Sequence, residues 1–78
     1  MVNSTNKYTI ETLRDKLLFA RYNDSCFCYD EYLFVLGIDI INQLTYDLID
    51  NCKQGHLFGI KVCIDYNDRL SCRLFKEV

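Results

Sequence analysis

Gly37-Ile-Asp-Ile-Ile-Asn-Gln-Leu-Thr-Tyr-Asp-Leu-Ile-Asp-Asn-Cys-Lys-Gln-Gly55 reads as one helix bracketed by two of the chain's three glycines. Ile41, Leu44, Leu48 and Cys52 recur at three- and four-residue spacing and fall on one helical face, with Thr45 between them. Asn42, Gln43, Tyr46, Asp47, Asp50 and Lys53 fall on the other. Asp39 is the expected N-cap, its carboxylate accepting from the unpaired amides of the first turn and meeting the positive end of the helix dipole. Gly55 suits the left-handed position past a helix end, and Lys53 places a cation in the last turn.

Around this segment the chain is short and greasy. Its 78 residues are half apolar, and eleven are Phe or Tyr, so it is not a disordered polymer. A chain of this size stabilises one core only marginally. So much apolar surface calls for a tight core, a covered patch, or both, and a homodimer is the expected cover. The five cysteines are an odd number, unlike a disulfide scaffold. Met1 to Lys7 is polar, without the apolar core of a secretory signal, and is expected to fray. No run approaches the ~18 apolar residues of a membrane span. These features predict a cytoplasmic protein with reduced thiols and no membrane contact.

Charge is unevenly spread. Residues 1–23 hold four basic and two acidic side chains, and residues 53–78 hold five basic and three acidic. Between them Asp24, Asp30, Glu31, Asp39, Asp47 and Asp50 stand without a Lys or Arg. This asymmetry is the one compositional feature that supports a functional argument.

Thr9 offers an N-cap hydroxyl, with Glu11 in the first turn. Ile10, Leu13, Leu17 and Ala20 then trace a helical stripe that Leu18 widens. Arg14 and Arg21 lie within that arc and are expected to snorkel along its rim; salt bridges to the acidic segment are the sharper reading. Asn23-Asp24-Ser25 closes the helix. Cys26–Tyr29 and Tyr32–Leu36 are aromatic and β-branched enough for a hairpin turning at Asp30-Glu31. A helix running from Asp30 into Gly37 is the rival, because Asp-Glu lacks the Gly or Asn of tight hairpin turns. From Leu57 to Val78 the chain alternates as strands do. Phe58, Ile60, Val62, Ile64 and Tyr66 share one face, and Leu70, Cys72 and Leu74 form the matching return set. Parity favours a three-residue loop, Asn67 to Arg69, pairing Ile64 with Cys72 and Val62 with Leu74. Phe75 is then the apolar exception on the solvent face. No repeat or linker divides the chain, which predicts a single small domain over 1–78.

Motifs for chemistry are absent. Cys26-x-Cys28 and Cys52-x-x-x-His56 lack the spacing of structural zinc, so no metal is expected. His56 stands alone, and a Cys–His nucleophile needs an orienting third group. Three glycines leave no phosphate-cradling loop, and no cofactor is expected.

The reading that follows is α+β, in the order helix-hairpin-helix-hairpin, with one antiparallel sheet covered by two helices. The fallback is three helices and a C-terminal β-hairpin. Function is expected to be non-enzymatic protein binding. Asp30, Glu31, Asp47 and Asp50 would present a phosphate-like surface to a basic, nucleic-acid-handling partner, with Tyr46 and Phe75 as aromatic anchors. Small acidic inhibitors carried by phages, including some anti-CRISPR proteins, use this logic. The alternatives are a nucleic-acid-binding or regulatory module using Lys61, Arg69 and Arg73 of the C-terminal hairpin, or a structural component of a phage particle.

Overall fold

The computed structural model of the chain describes residues 8–77, and the expected fraying of residues 1–7 falls outside them. At the centre is β1 (Tyr32–Gly37), buried along its whole length. Tyr32-Leu33-Phe34-Val35-Leu36 has no polar alternation, so neither of its faces suits water. An interior strand resolves this, because side chains of the strands on both sides shield its second face. β4 (Ile60–Asp65) lies parallel to β1, with Phe34 beside Val62 and Leu36 beside Ile64. β5 (Cys72–Lys76) lies antiparallel on the other side, with Phe34 beside Leu74 and Leu36 beside Cys72. Two short strands, β2 (Cys52–Lys53) and β3 (His56–Leu57), extend the sheet beyond β4 in the order β2-β3-β4-β1-β5.

The chain is therefore α+β, with three helices and a five-stranded mixed sheet among the described residues. The finer expectation of two hairpins in one antiparallel sheet does not describe it. β4 and β5 run antiparallel and keep the expected parity, Val62 level with Leu74 and Ile64 level with Cys72, but β1 sits between them. That also removes the C-terminal hairpin of the fallback. The first hairpin fails at its turn. Tyr29–Glu31 forms a single 3-10 turn instead, and the Asp24 carboxylate accepts from the Cys26 N–H at 3.0 Å, so residues 24–28 never extend into a strand.

α1 (Ile10–Asn23) begins as its sequence suggests. Thr9 accepts from the Thr12 N–H at 3.3 Å, and the Thr12 hydroxyl accepts from the Thr9 N–H at 3.2 Å. Leu13 and Leu17 are buried, while Ile10 and Ala20 pack at the edge of the core. Arg14 snorkels: its guanidinium lies 5.4 Å above the Phe58 ring.

The Gly37–Gly55 segment is not one helix. It divides into α2 (Ile38–Gln43) and α3 (Thr45–Asn51), separated by Leu44 at φ −108° and ψ 19°. The Thr45 hydroxyl donates to the carbonyls of Ile41 and Asn42 at 3.0 and 3.1 Å, a back-bond that bends helices. Ile40, Leu44 and Leu48 are buried; Ile41 and Cys52 only flank the core. Asp39 is not the N-cap, because Gly37 ends β1 and caps α2 directly. The expected helix end is a hairpin: Gln54 and Gly55 have φ of 54° and 79°, the mirror-image turn that joins paired Lys53 and His56. Phe58 and Gly59, at 54° and 85°, repeat that turn between Leu57 and Ile60.

Leu13, Leu17, Ile40, Leu44 and Leu48 form one cluster with Tyr32, Phe34, Leu36, Leu57 and Ile60, so all three helices share one face of the sheet. The loop from β4 to β5 crosses the end of β1. Gly37 N–H donates to the Ser71 carbonyl at 2.7 Å, and Asp39 N–H to the Arg69 carbonyl at 2.9 Å. A Cβ on Gly37 would collide with that Arg69 carbonyl, and glycine is what lets the loop close there.

Candidate functional site

The acidic segment finds in space the cations it lacks in sequence. Asp24 accepts from the Tyr32 hydroxyl at 2.8 Å, and the Lys76 ammonium stands 3.7 Å away. The Tyr32 hydrogen bond, then the Cys26 amide and Lys76, hold the Asp24 carboxyl below the usual range. The same bond pushes the Tyr32 phenol up. Lys76 also meets Glu31 at 3.4 Å, and Glu31 first, then Asp24, raises its pKa. Arg69 donates through Nε and Nη2 to Asp39 Oδ1 at 3.1 and 2.7 Å, and the carboxylate raises the guanidinium pKa. Asp24, Glu31 and Asp39 thus have internal partners. Asp30, Asp47 and Asp50 take part in none of the ion pairs among the described residues.

α3 gathers three of the expected contact residues. Its seven residues turn only Leu48 into the core. Tyr46, 84% exposed, and Ile49, 68% exposed, stand outward beside Asp47 and Asp50. The stripe of Ile41, Leu44, Leu48 and Cys52 passes over Ile49, whose exposure follows from Leu48 taking the single inward position of so short a helix. Asp30 and Glu31 sit on the 3-10 turn that leads into β1. Phe75, 43% exposed, is not on the helical side at all. Its register partner Leu33 alternates with the core residues Tyr32 and Phe34, which places both on the sheet face away from the helices.

That opposite face carries a basic row. Lys53 of β2, His56 of β3 and Lys61 of β4 stand side by side, followed by Leu33 and Phe75. The next row is Cys63, Val35 and Arg73. Arg73 lies 5.9 Å over the Phe75 ring and 3.8 Å from Asp65, and its Nε donates to Ser71 Oγ at 3.1 Å. Among the described residues, then, α3 carries carboxylates that join no ion pair, a basic row lies on the sheet face away from the helices, and α1 keeps Arg14, Lys16 and Arg21 on the helical side.

The thiols are all free. Burial pushes Cys52 and Cys72 up, Lys16 opposing weakly at Cys72, so both stay protonated and poorly nucleophilic. His56 Nδ1 lies 3.0 Å from the Gln54 carbonyl, within the tight turn rather than at a helix end. Among the described residues no three His, Cys, Asp or Glu side chains gather as metal ligands. No helix among them is long and apolar enough to cross a membrane. No family model, no curated protein and no solved structure matches the chain.

Proposed function

We propose that this chain is a non-enzymatic protein-binding module whose contact surface is the outward side of α3. The observation that carries this reading is a two-turn helix that exposes Tyr46 and Ile49 beside two carboxylates, Asp47 and Asp50, that join none of the ion pairs among the described residues. Aromatic side chains with apolar neighbours anchor interfaces, and flanking charges choose the partner and speed its approach. Carboxylates of this kind suit a basic partner, and a basic groove built for nucleic acid is the natural target. Occupying it would make the chain a small inhibitor by competition. Asp30 extends the acidic surface in this reading, while Glu31 contributes less because Lys76 already neutralises it.

The test is affinity capture from the cells that make the protein, with wild type beside Tyr46→Ala and Asp47→Asn/Asp50→Asn. A basic protein retained by wild type, lost with Tyr46→Ala and weakened by salt supports the reading. Equal capture by all three baits would sink it.

A second reading rests on the opposite sheet face. The row Lys53, His56 and Lys61, with Phe75 and Arg73 adjacent, has the cations and the aromatic platform that single-stranded nucleic acid uses. A fluorescent oligonucleotide bound with steep salt dependence, and released by Lys53→Gln/Lys61→Gln, would move the function to that face.

A further inference from the structure

The two ends of the sheet differ. β2 is a two-residue strand held in one tight hairpin, whereas β5 is a five-residue edge with one neighbour, β1, among the described residues. The hydrogen bonds at the ends of the β1–β5 ladder fix its phase. Gly37 N–H donates to the Ser71 carbonyl at 2.7 Å, and Glu77 N–H donates to the Glu31 carbonyl at 2.6 Å. Counting inward by twos, Ser71, Arg73, Phe75 and Glu77 turn their backbone groups towards β1. Cys72, Leu74 and Lys76 therefore aim theirs outward, at the free edge.

We infer that a second copy of this chain pairs with β5 about a two-fold axis at Leu74, joining two sheets into one of ten strands. In this register Leu74 faces Leu74, and Cys72 faces Lys76 in both directions, so every outward amide and carbonyl of the strand is used. On the bare face Arg73 of each copy stands opposite Phe75 of the other, which extends a cation–π contact each chain already makes at 5.9 Å. Sliding the axis to Arg73 would set two guanidinium groups directly opposite one another, which like charges oppose.

The helical side of the same edge is self-complementary. A groove of about 470 Å³ runs between α1 and β5, bordered by Asp15, Lys16, Phe19 and Leu74. Phe19 is 72% exposed. A two-fold axis at Leu74 brings two such grooves together with α1 antiparallel to its mate. An isologous contact needs a patch that complements itself, and adjacent Asp15 and Lys16 meet that need, each facing the opposite charge across the axis. Phe19 then closes over Leu74 on each side. This dimer lies on the β5 edge and is independent of the α3 surface proposed for other partners.

Sedimentation equilibrium of the full chain at about 10 and 100 micromolar decides it, with the concentrations chosen to bracket ordinary domain association. The expected result is a mass of two chains. Leu74→Pro removes one outward N–H while leaving the β1 ladder intact, a place where an edge strand tolerates proline. It should give a one-chain mass with an unchanged far-ultraviolet spectrum. Lys16→Asp should weaken the dimer at least tenfold with the far-ultraviolet spectrum kept, and the exchange Asp15→Lys/Lys16→Asp should restore it. A one-chain mass for wild type at 100 micromolar overturns the inference, whether the edge is covered by residues 1–7 or kept for a strand of another protein. A two-chain mass that survives both Leu74→Pro and Lys16→Asp overturns it as well.

Discussion

Gly37 has no room for a side chain, because the Arg69 carbonyl occupies the place a Cβ would take. Since the obstacle is backbone, Gly37→Ala is expected to cost about 3 kcal/mol, the upper end of overpacking. Gly55→Ala meets no atom within 4 Å and suffers only its φ of +79°, about 1 kcal/mol. Urea unfolding of the two variants should reproduce that order. Asp24 supplies a test by pH. Folding lowers its pKa, so the unfolded chain binds that proton more readily, and the contribution is present above the unfolded value of about 4. It fades as pH falls through the lower folded value. Tyr32→Phe deletes the largest cause of the shift and should move the acid midpoint, followed by circular dichroism, to higher pH. Tyr32 and Lys76 are raised by folding, so their contributions are lost in the alkaline limb, as pH climbs through their folded values. None of these partnerships was legible in sequence. Asp24 and Lys76 stand far apart in the chain, and charge counting along it cannot see across a fold.

At the scale of elements, the sequence spoke clearly wherever one period ruled. Thr9 and the Leu13–Leu17 stripe of α1 read correctly because capping and 3.6-residue spacing are local. The parity of β4 against β5 also held, since both strands bury the same face. What parity cannot register is a strand inserted between them. The signal for that lay in Tyr32–Leu36, whose unbroken apolar run marks an interior strand rather than half of an exposed hairpin. The central helix misled because Ile40, Ile41, Leu44 and Leu48 suit a continuous helix as well as a bent one, and a single Thr45 hydroxyl decides between them. The turn after it was legible in part. Gly55 does take a left-handed conformation, but in a two-residue hairpin that also forces Gln54 to a φ of 54°. Asparagine tolerates that region better than glutamine. Gln54→Asn should therefore stabilise the fold by roughly half a kcal/mol, and Gln54→Val should destabilise it by about 1 kcal/mol. Thermal melts resolve both, and a Gln54→Asn variant that melts lower would show that the turn is not the limiting element.

For the molecule as a whole, the charge blocks of the sequence become an acidic patch on α3 and a basic row on the far sheet face, with Arg14, Lys16 and Arg21 of α1 on the helical side, rather than one acidic surface. Lys76 and Arg69 neutralise Asp24, Glu31 and Asp39, which leaves Asp47 and Asp50 as the carboxylates of α3. The basic row lies on the far side of the sheet. An acidic segment was thus legible, but which of its members stay free was not, since that depends on where the C-terminal strands return. The acidic patch on α3 and the basic row make opposite predictions about rate. If α3 faces a basic partner, the association rate falls with added salt, because screening removes the attraction. Asp47→Asn/Asp50→Asn should slow association severalfold while barely changing stability, since exposed carboxylates contribute little to it. Reversal to Lys at both positions should slow it further. Lys53→Gln/Lys61→Gln should leave that rate unchanged or raise it, because it removes repulsion from the basic row. Stopped-flow measurement at several ionic strengths separates these cases once the captured partner is purified. A rate indifferent to salt and to Asp47 and Asp50 would transfer the anchoring role to apolar contact alone, with Tyr46 on α3 and Phe75 on the sheet face as the two places to look.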